Sequence, residues 1–217
     1  INLLRPEFYI RLSAHPEQLE DIIGPKLPKG KSYVVIDEVQ KIPVLLDEVH
    51  RLIEERRLRF LLTGSSARKL RHGGANLLAG RAWIANLFPL TGFELGKDFD
   101  LSRYLRYGGL PTVVTSNEPE EELQAYVATY LQEEIKAEAL IRKVPVFSAF
   151  LRAAALSNTS VINFSSMASD LEVSSPTIRE YFSILEDTLV GCLLAPWRRS
   201  KKRKATASGK FYFFDTG

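Results

Sequence analysis

Two short apolar runs, Tyr33-Val34-Val35-Ile36 and Phe60-Leu61-Leu62, bracket an amphipathic stretch from Pro43 to Arg57 and constrain the fold more than anything else in the chain. Apolar residues in succession, rather than alternating with polar ones, suit strands buried on both faces of a parallel sheet, where covering helices exclude water from either side. The first run ends in Asp37 and Glu38, followed by Val39 and Gln40. Two adjacent carboxylates therefore fall at the C-terminal edge of the sheet, where open α/β sheets bind their ligands. Acids in that position suit phosphoryl chemistry, with Asp37 holding Mg²⁺ through its water shell and Glu38 orienting or deprotonating an attacking water. The alternative is that both acids simply start the next helix, whose positive N-terminal end favours carboxylates.

The second strand, Arg59 to Leu62, runs into Thr63-Gly64-Ser65-Ser66, which brings small hydroxyl residues to the same edge. A plain strand-to-helix turn with a serine N-cap would read the same way. Further on, Leu77-Leu78-Ala79-Gly80-Arg81-Ala82 closes a basic helical segment just before the apolar run Trp83 to Leu90, which reads as the last core strand. Arg81 is either a working guanidinium or an ordinary surface arginine.

Taken together, these segments resemble the predicted AAA-superfamily ATPases of bacteria and archaea that carry a C-terminal domain of unknown function. The residues that carry the resemblance are Ile1 to Leu4, Val35 to Gln40, Leu62 to Ser66 and Leu78 to Arg81, joined by Tyr107-Gly108-Gly109-Leu110-Pro111 and Phe211 to Gly217. They span almost the whole chain. The resemblance implies a three-layer α/β P-loop ATPase core, with Val35 to Glu38 as its Walker B strand and ATP and Mg²⁺ as its ligands. It also implies a γ-phosphate sensor among Thr63, Ser65 and Ser66, and an arginine, Arg81, that offsets charge developing in phosphoryl transfer on its own chain or a neighbour's in a homo-oligomer.

One departure matters. Phosphate-loop ATPases carry Gly-x-x-x-x-Gly-Lys-Ser/Thr between a strand and a helix, so that backbone amides and a lysine cradle the phosphates. Gly30-Lys31-Ser32 mimics only the tail of that motif: Pro25 stands where its first glycine belongs, and a strand follows. Because the chain opens on Ile1 with residues that resemble the segment after the phosphate-loop helix, the expectation is a fragment whose first strand and phosphate loop lie upstream. The alternative is a degenerate member that keeps the fold without binding nucleotide.

Composition bounds the rest. At 217 residues and 45% hydrophobic the chain is large enough for a substantial core and for more than one domain. Cys192 is its only cysteine, so no internal disulfide forms, and apolar neighbours suggest a buried thiol. His15, His50 and His72 lack the paired spacing of a zinc site. No apolar run is long enough to span a bilayer, which points away from a membrane partner and to a cytoplasmic protein.

The punctuation divides the chain into an ATPase core over residues 1–91, a helical lid and linker helix over 92–143, and a C-terminal domain over 144–217. Pro119 opens the linker helix, with Leu123, Val127, Tyr130, Leu131 and Ile135 at helical spacing. In the last domain a first amphipathic helix ends near Asn158, a second covers Ser165 to Leu171, and a third starts at Ser175-Pro176-Thr177, with Ser175 as its cap. Strands Gly191 to Pro196 and Phe211 to Phe214 follow, giving the order of a winged helix. The basic run Arg198, Arg199, Lys201, Lys202, Arg203 and Lys204 falls on the hairpin tip and suits DNA or RNA phosphates, with Arg179 on the third helix. Against that, the same helix carries Glu180, Glu186 and Asp187, and the net charge is only +3. Protein docking or a purely structural role therefore stands beside nucleic-acid binding.

Overall fold

The computed structural model describes residues 1–24, 32–64, 78, 82–131, 144–196 and 209–217. The chain divides into two compact units, Ile1–Ile84 and Ala85–Gly217.

The first unit contains α1 (Pro6–Ala14), α2 (Leu19–Ile23), β1 (Tyr33–Ile36), α3 (Leu45–Arg56) and β2 (Arg59–Leu62). β1 and β2 pair in parallel, from Tyr33 opposite Arg59 to Ile36 opposite Leu62. A parallel pair needs a crossover between its strands, and α3 is that crossover. Leu45, Leu46, Val49 and Leu52 form the buried stripe of α3, at the spacing of one helical face. They join Leu3, Leu12, Leu19, Val34, Ile36, Val39 and Ile42 in a single apolar cluster. Each such side chain contributes about 1.5–3 kcal/mol through removal from water.

Two strand expectations are corrected here. The run at β1 predicts burial on both faces, whereas Val34 and Ile36 face the core while Tyr33 and Val35 remain 59% and 43% exposed, and Leu61 of β2 54%. Among the described residues the parallel pair is layered on one side only. The apolar run Trp83 to Leu90 does not form a strand, and Trp83, Ile84 and Leu87 are exposed. A β-prone sequence holds a strand only where a neighbouring strand takes its backbone hydrogen bonds, and no described segment pairs with it as a ladder.

The second unit opens with α4 (Gly92–Leu95), held by a capping box in which Thr91 and Glu94 satisfy each other's backbone amides. Then come α5 (Leu101–Tyr107), α6 (Pro111–Thr115) and α7 (Pro119–Ala125), the last continuing as π-helix over Tyr126–Leu131. Ile135, assigned to the same helix from its spacing, lies outside the described residues. After these come α8 (Val144–Leu156), α9 (Phe164–Asp170), α10 (Ser175–Asp187), β3 (Gly191–Leu194) and β4 (Lys210–Phe213). β3 and β4 are antiparallel, and Lys210 of β4 also bridges Val161 in antiparallel sense. The cap of α10 is Ser174 rather than Ser175: its hydroxyl accepts from the Thr177 amide at 3.3 Å, and Ser175 becomes the first helical residue. The core is aromatic. Phe182 packs against Phe150 at 4.9 Å, Phe211 at 4.8 Å and Phe164 at 5.8 Å between ring centroids.

Two of the glycine-bearing motifs meet in this unit although they lie about a hundred residues apart. Gly109 N donates to Asp215 Oδ2 at 2.8 Å, and Gly217 N donates to Asp215 Oδ1 at 2.8 Å. Thr216 Oγ1 donates to the Tyr104 carbonyl at 2.7 Å, and the Tyr104 hydroxyl donates to the Leu90 carbonyl at 2.9 Å. Gly108 sits at φ 74°, and a Cβ there would run into the Asp215 carboxylate. Only glycine takes that backbone conformation and leaves that space.

Candidate functional site

The parallel ladder continues past the named ends of both strands and so delivers the next residues to one place. Thr63 N donates to the Ile36 carbonyl at 3.0 Å, and Val39 N donates to the Thr63 carbonyl at 3.0 Å. On its other edge Asp37 is held by the first residues of the chain: its amide donates to the Ile1 carbonyl at 2.9 Å, and its carbonyl accepts from Leu3 N at 3.1 Å. Glu38 then adopts the left-handed conformation, φ 62° and ψ 40°. For a non-glycine residue that costs about 1–2 kcal/mol. The turn takes the chain out of the sheet and into a single 3₁₀ turn, Val39–Lys41.

The side chains converge accordingly. Thr63 Oγ1 donates to Asp37 Oδ1 at 2.5 Å, joining the ends of the two strands. Gln40 Nε2 donates to Glu38 Oε2 at 2.6 Å. Both contacts involve a carboxylate acceptor and are short, as charge-assisted hydrogen bonds are. Gln40 is only 3% exposed, the one buried polar side chain in the core of the described residues. Its amide lies against Gly64, where a Cβ would collide with the Gln40 side-chain oxygen.

Of the residues that the sequence singles out, the structure joins Thr63 to Asp37 through their side chains, while the Glu38 carboxylate, next in sequence, is held by Gln40. Ser65, Ser66 and Arg81 lie outside the described residues, as do Gly30 and Lys31 and the basic residues Arg198, Arg199, Lys201, Lys202, Arg203 and Lys204. Arg179 is on the exposed side of α10, with its guanidinium 4.0 Å from the centre of the Phe164 ring. Glu186 of the same helix accepts from Leu193 N of β3 at 2.8 Å, which ties it to the strand pair. Strand and helix spacing alone assign no role to Gln40 or Gly64. The available signal was a glutamine two positions after an acid pair at a strand end, facing a glycine at the end of the adjacent strand.

The Asp37 carboxylate, oriented by Thr63, is a hard oxygen donor of the kind that Mg²⁺ takes with most of its water retained. No group of three or more histidine, cysteine or acidic side chains is placed to hold a metal by itself among the described residues. Among them, too, no helix is long and apolar enough to cross a membrane.

Comparison with known proteins divides the chain in a similar way. Residues 1–95 match the family described as an AAA domain, which supports an AAA-type ATPase domain in that part of the chain. An uncharacterized protein of Mycobacterium tuberculosis is 31% identical over 193 residues, covering 85% of this chain and 43% of that protein. A second uncharacterized protein, from Haemophilus influenzae, is 25% identical over 221 residues, covering 93% of this chain and 55% of its own length. The chain thus spans about half the length of the curated relatives it matches. No solved structure matches it. Residues 98–217, more than half of the chain, match the domain of unknown function DUF8612, and the chain belongs to that family.

Proposed function

We propose that this chain is part of an ATP-binding, ATP-hydrolysing AAA-type enzyme whose chemistry is centred on Asp37 and Glu38. The observation that carries the proposal is the Thr63 hydroxyl on the Asp37 carboxylate, beside Glu38, at the C-terminal ends of adjacent parallel strands. Asp37 would hold Mg²⁺ through water, with Thr63 fixing the orientation of the carboxylate. When bound, Mg²⁺ would neutralise charge on the ATP phosphates. Glu38 would accept a proton from, or orient, the attacking water. Thr63, Ser65 or Ser66 would register the terminal phosphate, and Arg81 would offset charge developing in the transition state, on its own chain or a neighbouring copy's. Within the second unit, the order α8, Val161, α9, α10, β3, β4, with β4 bridged to Val161, supports a winged-helix domain that nucleotide state would reposition.

The test is Glu38→Gln in the full-length protein. Turnover should fall by about 10²- to 10⁴-fold while ATP affinity stays at the wild-type value. Unchanged turnover would remove Glu38 from the mechanism, and a wild type that does not bind ATP would remove the enzyme reading altogether.

A second reading is nucleic-acid binding through the winged helix. It is favoured by the antiparallel pairing of β3 with β4, which makes residues 195–209, and so the basic run, their connection. Neutralising Arg198, Arg199, Lys201, Lys202, Arg203 and Lys204 should abolish most binding to DNA or RNA. Absent or salt-insensitive binding by the wild type would exclude this reading.

A further inference from the structure

The geometry points to Gln40 as the positioning residue of the site: its side-chain amide holds the Glu38 carboxylate in place for catalysis, and Gly64 is a glycine because that amide occupies the space a side chain would need. The inference rests on the ATPase reading of the same site and assigns a residue that this reading does not use.

Glu38 follows the last paired residues of β1 and sits in the left-handed conformation, so its side chain is not aligned by the strand pleat. A free glutamate at a turn samples several rotamers. A catalytic carboxylate has to be held to within a fraction of an ångström, which requires a partner that is itself immobile. Gln40 meets that requirement because it is 3% exposed and lies in the 3₁₀ turn that Glu38 starts, where Lys41 N donates to the Glu38 carbonyl at 2.9 Å. Two residues on in sequence, its Nε2 reaches Glu38 Oε2 at 2.6 Å.

The chemistry of the partner matters as much as its rigidity. An amide N–H is neutral: it orients the carboxylate without cancelling its charge, as a lysine or arginine in the same place would. The opposite end of the Gln40 amide rests against Gly64, directly after Thr63, whose hydroxyl orients Asp37. One buried amide thus lies against the ends of both strands that supply the acid pair and its hydroxyl partner.

The test uses the full-length protein with Gln40→Met, which keeps the volume of the side chain and removes its donor, and Gly64→Ala, which pushes on the amide from the other side. Steady-state kinetics with MgATP should show kcat lowered by about 10- to 100-fold in both, the usual cost of losing an orienting partner, with KM and ATP affinity unchanged. A proton–nitrogen spectrum of protein labelled at glutamine side chains gives a readout independent of turnover. One Gln40 amide proton should lie downfield and exchange slowly in the wild type, and should return to the free-amide position in Glu38→Ala and in Gly64→Ala. Wild-type kcat in Gln40→Met would show that Gln40 only fills space and would overturn the inference. So would a Gln40 amide signal indifferent to Glu38. If the wild type shows the shifted amide proton but neither binds nor hydrolyses ATP, it is the ATPase reading that fails, and the catalytic role of Gln40 fails with it while the contact stands.

Discussion

Among the described residues each unit contains one two-stranded sheet, and the two sheets differ in how they are covered. In the second unit β4 sends Phe211 into a cluster with Phe150, Phe164 and Phe182, closed over by α8, α9 and α10. In the first, β1 and β2 bury Val34 and Ile36 on one face and leave Tyr33, Val35 and Leu61 outward on the other. Burial of large rings stabilises the second sheet, whereas the end of the first is organised by hydrogen bonds among Asp37, Thr63, Glu38 and Gln40. The candidate chemistry therefore lies on the less enclosed of the two sheets. Groups that must meet solvent and a ligand cannot also be sealed in a core.

The widest separation between the two should come from apolar truncation. Phe182→Ala removes a ring that touches three others and leaves a cavity, so unfolding free energy measured with denaturant should fall by about 3–5 kcal/mol. Leu61→Ala, on the open face, should cost well under about 1 kcal/mol, because little apolar surface is buried there. Equal losses would mean that the open face is covered in the intact protein, and the contrast between the sheets would disappear.

A smaller effect should appear where the second unit depends on hydrogen bonds. Asp215 accepts from Gly109 N and Gly217 N, joining segments 106 residues apart in sequence. Asp215→Ala leaves the amide of buried Gly109 without its acceptor and should cost about 1–3 kcal/mol. Asp215→Asn keeps one acceptor oxygen and should cost less. If Asn proves as harmful as Ala, the charge of Asp215 matters more than its geometry.

Those contacts also mark what could be read from the sequence. β1, α3 and β2 were legible because each is a local pattern: an apolar run, a helical stripe, a second run. Asp37 and Glu38 were legible as a site because a strand end fixes where its next residues go. Trp83 to Leu90 misled because a strand is made by its partner, and no local pattern reveals whether a partner is there. The meeting of Gly108 and Gly109 with Asp215 was not legible because it depends on the tertiary fold. Gln40 carries only a positional signal in the sequence, and its role is not legible from that alone. Its reach to Glu38 exists only because Glu38 turns left-handed, a conformation that neither residue's identity announces. The cap of α10 slipped by one residue between two adjacent serines that are equally able to serve.

The smallest expected effect sharpens the comparison from the side of the first unit. Arg51 of α3 donates to Glu20 of α2 at 2.8 Å and also pairs with Glu48 at 2.9 Å and Glu55 at 2.7 Å, and Arg56 reaches Glu20 at 3.2 Å. The hydrogen bond from Arg51 is the main reason the Glu20 carboxyl lies below its ordinary value, against an opposing contribution from desolvation. The sign follows from proton counting. A carboxyl depressed in the folded state binds fewer protons there than in the unfolded chain, so its stabilisation is fully present above the unfolded value. It is lost as pH falls from that value through the folded one. The unfolding midpoint should therefore drop as pH is lowered through the carboxylate range, and Arg51→Ala should flatten that slope by lowering the neutral-pH midpoint slightly while leaving the midpoint at acid pH, where Glu20 is protonated in both states, unchanged. The group is near the surface, so added salt should flatten the wild-type slope as well. An acid slope that survives Arg51→Ala would place the pH dependence on other carboxylates, and a large loss at neutral pH would mean that the first unit relies on this network as heavily as the second relies on its rings.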